Sequence, residues 1–375
     1  MRFVRIKYAL IAAVLAVCMP VLLMACSDQD EKEPDYGVVT EEDTSLDERS
    51  VQEEALALLP RTLIKIGFVQ AGHESDWRIA STKSCMETFS EENGYELYFV
   101  DADGDPEKQV EAVRHFINEQ VAYILIDPIA RTGWTAALKE AYHAMIPVIL
   151  LNGTIDCEER YYQAWYGPDY VQEGRCAGQW LQKYLAGIGR ETGMIRILIV
   201  NGAVSRTAQE GRREGFSKYM TRNRGWKILA RSSFDPVLSD GRQVMESYLE
   251  KHKSVDVVIC YDDQDVSGVC DALDEAGISY GTGGDVVIIA FGASRDGLLA
   301  VMEGAVHVDF ESSPLGPSYA GEAVQQLEKR EIFKEKNNYL PLKCYAMDSR
   351  MLLATTSGIK RMISVSKEIL ENKKY

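Results

Sequence analysis

The sequence lacks the residue patterns that enzymes and metal proteins use. It has five histidines in 375 residues, and they are scattered along the chain without an H-E-x-x-H pair. No G-x-x-x-x-G-K-[ST] phosphate loop and no G-x-S-x-G nucleophile elbow occurs. We therefore expect a protein that is not an enzyme, with no catalytic residues, no bound metal and no cofactor.

Basic residues are fewer than acidic ones. The chain has 41 Lys and Arg against 57 Asp and Glu, which gives a formal net charge of −16 at pH 7. An acidic surface repels the phosphate backbone, so we do not expect nucleic acid as a partner. Such a surface also gains nothing from anionic lipid, so we expect membrane contact only through a lipid anchor.

Cysteine is sparse and widely spaced. Eight cysteines are present without a C-x-x-C pair, which is neither a zinc pattern nor a dense disulfide framework. Six of them lie beyond residue 26, at Cys85, Cys157, Cys176, Cys260, Cys270 and Cys344. A disulfide bridge and buried free thiols both stay open as interpretations.

The chain begins with the pattern of an export signal. Three bases within the first seven residues precede an apolar run from Ala9 to Ala25. The run ends in Leu23-Met24-Ala25-Cys26, which resembles the processing site of bacterial lipoproteins. The resemblance implies that residues 1–25 are a signal peptide and that Cys26 carries the lipid. The alternatives are a transmembrane anchor and a secreted protein without lipid.

An acidic segment, residues 26–61, follows the signal. Between Cys26 and Pro60 there are twelve acids and two bases, a net charge of −10. This composition buries too little apolar surface to fold, and its like charges repel one another. We expect a flexible tether between a bacterial cell membrane and an extracytoplasmic folded part.

From residue 62 onward, strand and helix patterns alternate. Short apolar, β-branched runs predict strands over residues 64–69, 96–100, 123–126, 147–151, 194–200, 227–233, 255–260 and 286–291, with helices between them. Successive β-α units predict an α/β fold with parallel sheets. The length is right for two domains, so we expect two Rossmann-like lobes.

Several motifs give this part a family resemblance. They are Glu74-Ser75-x-Trp77-Arg78, Asp127-Pro128-x3-Thr132-Gly133-Trp134, Ile146-Pro147-Val148, and Gly202-Ala203-Val204 with Arg212-x2-Gly215-Phe216. Over residues 62–345 the chain resembles the type I periplasmic sugar-binding proteins, which capture solutes for ABC importers. Within that family it is most similar to the ribose and galactofuranose binders.

The resemblance implies how the lobes are connected. Three hinge crossovers would lie near Gly167, Glu311 and Pro341. The N-terminal lobe would then consist of residues 62–166 plus 312–340, and the C-terminal lobe of residues 167–311 plus 341–375. A ligand would be held between the two lobes.

Sugars are bound by flat aromatic faces and by charged or amide groups that contact adjacent hydroxyls. The residues that match the family in place or in chemistry are Glu74, Trp77, Arg78, Asp127, Thr132, Asn152, Arg212, Asp262 and Glu311. Structural roles are the alternatives. Trp77 would pad the lobe interface, Asp127 would form an Asp-Pro turn, Thr132 would cap a helix, and Glu311 would form a hinge salt bridge.

Three positions depart from the family pattern. Asn152-Gly153 replaces an Asp-Arg pair, and Gly211 and Gly292 each replace an Asp. A change of polar groups changes which ligand is accepted, so the fold carries over and the ligand identity does not. We expect a monosaccharide or similar small molecule, ABC permease subunits as partners, and a monomer. The alternative is a sensor that feeds a histidine kinase or chemoreceptor.

Overall fold

The computed structural model describes residues 62–72, 75–202, 204–231, 240–333, 335–373 and 375. The predicted signal peptide, the lipid site at Cys26, the acidic tether and the candidate Glu74 lie outside these residues. Within the described part, no helix has the length and apolar character needed to cross a membrane.

The described residues form fifteen strands and ten α-helices. The strands are β1 (Ile64–Gln70), β2 (Tyr95–Asp101), β3 (Tyr123–Ile126), β4 (Val148–Leu151), β5 (Ala164–Gly167), β6 (Ile195–Val200), β7 (Trp226–Arg231), β8 (Val257–Cys260), β9 (Val287–Gly292), β10 (Val308–Glu311), β11 (Asn337–Tyr339), β12 (Cys344–Ala346), β13 (Leu352–Thr355), β14 (Gly358–Arg361) and β15 (Ile363–Ser364). The helices are α1 (Asp76–Thr88), α2 (Pro106–Asn118), α3 (Thr135–His143), α4 (Tyr170–Gly187), α5 (Arg206–Arg222), α6 (Gly241–Lys251), α7 (Val266–Glu275), α8 (Arg295–Glu303), α9 (Gly316–Glu328) and α10 (Lys367–Asn372).

Two large sheets organise these elements. The first has the strand order β11-β5-β4-β3-β1-β2 and is parallel throughout. The second has the order β15-β12-β10-β9-β8-β6-β7 and is parallel except where β12 pairs antiparallel with β10. Strands β13 and β14 form a separate hairpin. The predicted α/β fold with two lobes is confirmed.

The chain passes between the two sheets three times. It leaves the first sheet after Gly167, leaves the second after Glu311, and leaves the first again after Tyr339. Between the last two crossovers, α9 packs against α1. The three hinge crossovers expected from the family are therefore present. The lobe bounds of 62–166 plus 312–340 and 167–311 plus 341–375 stay a prediction.

Burial explains why the central strands could be recognised. Strands β3, β4 and β8 are buried at every residue. A parallel sheet covered by helices on both faces needs continuous apolar runs of this kind. Two helices that follow other strands start at side-chain caps, Ser75 before α1 and Ser205 before α5. These helix starts lie at the strand ends that carry the candidate site.

Some expectations from the sequence need correction. The sequence pattern predicts that the first helix, which begins at Trp77, continues to Glu92, but the helix ends at Thr88, and a 3-10 turn over Glu91–Asn93 leads to Gly94 at a φ of 91°. The six cysteines beyond residue 26 are free thiols, and all but Cys157 are buried. The free-thiol interpretation is the one that the structure shows.

Candidate functional site

A cleft lies where the carboxyl ends of the two sheets face each other. It contains about 650 Å³ free of protein atoms, part of it open to solvent. Open α/β sheets hold ligands at this edge. Six predicted site residues line the cleft, namely Trp77, Arg78, Asp127, Asn152, Arg212 and Asp262.

An ion pair forms the wall of the cleft in the first lobe. Arg78 lies in the first turn of α1, and Asp127 follows β3 directly. Their side chains are buried, with Arg78 Nη1 and Asp127 Oδ2 3.7 Å apart. The loop after β3 is fixed by Gln109, whose Nε2 donates to the Asp127 carbonyl at 2.7 Å. Donor and acceptor groups are thus held side by side at the cleft.

Trp77 connects α1 to the crossover after β10. Its Nε1 donates a hydrogen bond of 2.5 Å to the carbonyl oxygen of Ser312, while the partly exposed indole lines the cleft. Trp77 is therefore joined to the crossover that follows β10, and it also belongs to the lining of the cleft.

Arg212, on α5, is the centre of a buried network in the second lobe. Its side chain is 2% exposed. Nε donates to Glu173 Oε2 at 2.8 Å, Nη2 donates to Ser312 Oγ at 2.7 Å, and Nη1 donates to the Tyr261 carbonyl. Ser312 Oγ in turn donates to Glu173 Oε1 at 2.7 Å. A guanidinium carries five N–H groups, so two remain for a ligand.

Aromatic rings surround that guanidinium. Arg212 lies 4.4 Å from the centroid of the Phe291 ring, and Tyr170 and Tyr261 are within 6 Å. Burial raises the pKa of Glu173, although the charge of Arg212 acts to lower it. The pair is therefore held in a dry environment in which its hydrogen bonds are strong.

Asn152 is a lining residue whose buried side-chain atoms have no hydrogen-bond partner among the described residues. It follows β4 with a φ of 56°, a left-handed conformation that Asn tolerates better than most residues. The residue is 2% exposed, yet neither Oδ1 nor Nδ2 forms a hydrogen bond. Leaving a buried polar group unpaired costs about 1–3 kcal/mol. A ligand in the cleft would supply the missing partners.

A carboxyl pair follows β8. Asp262 Oδ1 accepts from the Gln264 amide at 3.2 Å, and Asp263 Oδ2 accepts from the Ser294 amide at 2.6 Å. Burial raises the pKa of Asp262. Burial and the neighbouring Asp262 raise the pKa of Asp263 to about 7. Asp263 also lines the cleft, and its position beside Asp262 was the only signal for it in the sequence.

Packing accounts for two of the departures from the family pattern. A Cβ atom at Gly292 would lie 2.8 Å from the carboxyl group of Asp263, and one at Gly211 would lie 2.6 Å from Tyr170 Cβ. Neither position has room for an aspartate. The carboxyl group of Asp263 instead occupies the space into which a side chain at Gly292 would extend.

Two predicted residues lie outside the lining. Thr132 is exposed in the loop before α3, and the N-cap of that helix is Trp134, so the capping alternative for Thr132 is wrong. Glu311 is buried behind the cleft and forms ion pairs with Lys373 at 2.6 Å and Lys343 at 3.0 Å. This is the hinge salt bridge that was the alternative for Glu311.

Several lining residues were missed by sequence reasoning. They are Ser75, Tyr170, Val204, Ser205, Ala208, Tyr261, Asp263, Gln264, Phe291, Gly292, Ser294, Ser312 and Tyr375. No set of three His, Cys, Asp or Glu side chains in the described ranges is arranged to hold a metal ion. The lining contains aromatic rings, hydroxyl groups, amide groups, carboxyl groups and the Arg78–Asp127 ion pair.

Comparisons with known proteins give consistent results. Residues 66–329 match the family model described as periplasmic binding protein domain. The chain is 31% identical over 315 residues to the galactofuranose-binding protein YtfQ of Escherichia coli, covering 83% of this chain and 92% of that protein.

Two solved structures are similar over most of their length. A Mycobacterium smegmatis protein in complex with β-D-fucofuranose is 34% identical with a TM-score of 0.69, covering 76% of this chain and 91% of that one. A galactofuranose binding protein is 29% identical with a TM-score of 0.72, covering 83% and 98%.

Proposed function

The chain belongs to the periplasmic binding protein family, as a sugar-binding protein of the ABC-importer type, and we propose that it captures a furanose sugar between its lobes. The named ligands of its relatives support this proposal, since galactofuranose and fucofuranose are both five-membered ring forms of hexoses. Bound sugar would then be delivered to ABC permease subunits.

The main support for the proposal is that the buried side chain of Asn152 has no hydrogen-bond partner within the described part of the chain. A buried carboxamide with two unpaired atoms can accept from one sugar hydroxyl and donate to another. Sites built in this way reject ligands that leave such atoms unpaired. Trp77 and Phe291 supply ring faces for the C–H side of the sugar.

The charges of the cleft favour an uncharged ligand. Arg78 is balanced by Asp127, and Arg212 by Glu173. No buried cation in these two pairs is left to hold the carboxylate of a sugar acid. Hydroxyl groups, which both donate and accept, suit the mixed donors and acceptors that these pairs present.

The experiment compares two ring forms of one sugar. Methyl β-D-galactofuranoside and methyl β-D-galactopyranoside are added to the purified protein, with free D-galactose and D-fucose alongside, and thermal unfolding is followed. A ligand at 100 times its Kd stabilises by about 2.7 kcal/mol. We expect the furanoside to raise the melting temperature and the pyranoside to leave it unchanged. A protein that none of these sugars stabilises contradicts the proposal.

The membrane attachment is part of the same proposal. The apolar signal and the Leu23-Met24-Ala25-Cys26 motif support a lipid on Cys26, and the acidic tether would space a monomeric binding protein from the cell membrane. Cys26→Ala should move the protein from the membrane to the soluble fraction and abolish incorporation of labelled palmitate. Unchanged membrane attachment in this variant would contradict lipidation.

A further inference from the structure

The segment after α10 folds back onto the crossover that follows β10. The carbonyl oxygen of Tyr375 accepts from the Arg295 amide at 2.7 Å, and its phenol donates to Glu311 Oε1 at 2.7 Å. Tyr375 is partly exposed, and it is among the residues that line both the cleft and the wider groove between α1 and α8. Tyr375 therefore stands between the cleft and the outside groove.

A buried ion pair holds this segment in place. Lys373 Nζ donates to Glu311 Oε1 at 2.6 Å, and the side chains are 7% and 4% exposed. The same ammonium lies 4.0 Å from the centroid of the Tyr375 ring. Removing two charges from water is costly, so such a pair forms only where its geometry is well defined. The Tyr375 phenol and the Lys373 ammonium thus donate to the same oxygen atom of Glu311.

Strand β9 contributes Phe291 and Gly292 to the lining of the cleft. Gly292 has a φ of 138°, and a Cβ there would meet the carboxyl group of Asp263. Tyr375, which is distant from β9 in the sequence, adds a further aromatic residue to this lining. An aromatic face at this point suits the C–H side of a sugar ring.

We infer that Tyr375 is a specificity-determining wall of the sugar cleft, positioned there by the Lys373–Glu311 pair. The inference rests on the proposed function, because it assigns a further residue to the same cleft. Lys373 is a positioning residue that acts through the ring.

The test measures the affinity of purified variants for methyl β-D-galactofuranoside by isothermal titration calorimetry. Tyr375→Ala should raise the Kd about 5- to 30-fold, since it removes most of an aromatic contact. Tyr375→Phe keeps the ring and should stay within about threefold of the wild type. Tyr142→Ala is the control, since Tyr142 is an exposed tyrosine on α3 outside the cleft lining.

A positioning role for Lys373 has its own readout. Lys373→Met should raise the Kd, and combining it with Tyr375→Ala should add less than the sum of the two effects, because both act through one ring. Full additivity would overturn the positioning role.

The outcomes distinguish a failure of the role of Tyr375 from a failure of sugar binding itself. If the wild type binds and Tyr375→Ala binds equally well, the wall is refuted and sugar binding stands. A Tyr375→Phe variant as weak as Tyr375→Ala refutes the ring as the determinant. If the wild type binds none of the sugars of the thermal panel, the proposed function fails and this inference fails with it.

Discussion

Replacing Asn152 by glycine tests the cleft at a buried position where two side-chain polar atoms have no hydrogen-bond partner among the residues that the structure describes. At a φ of 56°, most side chains would be strained, whereas glycine adopts this conformation readily. The substitution therefore removes the carboxamide and leaves the backbone after β4 in place. No protein hydrogen bond of the side chain is lost, because the structure shows none.

The size of the effect follows from the two unpaired atoms. A hydrogen bond contributes about 0.5–1.5 kcal/mol net, so two bonds to sugar hydroxyls contribute roughly 1–3 kcal/mol. The Kd should therefore rise about 5- to 150-fold at 25 °C. The free energy of unfolding without ligand should stay the same or increase.

Calorimetric titration with methyl β-D-galactofuranoside measures the first quantity, and urea unfolding of the ligand-free protein measures the second. Gln120→Gly is a matched control, since Gln120 has the same φ of 56° but is exposed outside the cleft lining. Its Kd should equal that of the wild type. An Asn152→Gly variant that binds within twofold of the wild type would refute the assignment of ligand contacts to Asn152.

Three further changes have defined outcomes. Trp77→Ala should raise the Kd for the furanoside about 5- to 30-fold in the same titration because a ring face is lost, and an unchanged Kd would limit Trp77 to packing. Arg212→Met should lower the free energy of unfolding by about 3–5 kcal/mol in urea because it leaves the Glu173 carboxylate buried without its cation. Adding Glu173→Gln should restore part of that loss, and no recovery would contradict the pairing argument. The pKa of Asp263 is raised to about 7, and burial and the neighbouring Asp263 also raise the pKa of Asp309, so the folded protein keeps protons on this pair that the unfolded chain loses near pH 4. This contribution to stability is complete below pH 4 and is lost as the pH rises through 7. Asp263→Asn should flatten the decline in melting temperature between pH 5 and 8, and an unaltered decline would show that another group is responsible.

The sheets could be predicted because their central strands are buried on both faces. The strand Tyr123–Ile126 and the strand Val257–Cys260 are uninterrupted apolar runs, and this is the pattern that a covered parallel sheet requires. The edge strand Asn337–Tyr339 is polar and half exposed, so nothing in its composition indicates a strand. Its place is set by pairing with Ala164–Gly167, a contact that only the folded chain provides.

The residues of the candidate site likewise differ in whether the sequence alone indicates them. Trp77, Arg78, Asp127 and Asn152 follow strand ends or start helices, and the sequence indicates such positions. Ser312 could not be found in that way. Its hydroxyl bonds Glu173 and Arg212, which are 139 and 100 residues distant, and only the crossovers bring the three together.

Tyr375 was missed for a similar reason. Its phenol donates a hydrogen bond to Glu311, a residue 64 positions earlier in the chain. Local sequence patterns do not indicate a contact between two residues that are so far apart in the chain. Gly292 shows the converse case, since the loss of an expected aspartate is explained once Asp263 is seen to occupy the space.

The central claim is that the cleft between the lobes binds a furanose through the carboxamide of Asn152. A crystal structure of the protein with methyl β-D-galactofuranoside tests this most directly. We predict the sugar in the cleft, with hydroxyl oxygens within hydrogen-bond distance of Asn152 Oδ1 and Nδ2 and the ring against Trp77. A sugar bound away from the cleft, or seated there with both carboxamide atoms still unpaired, would contradict the claim.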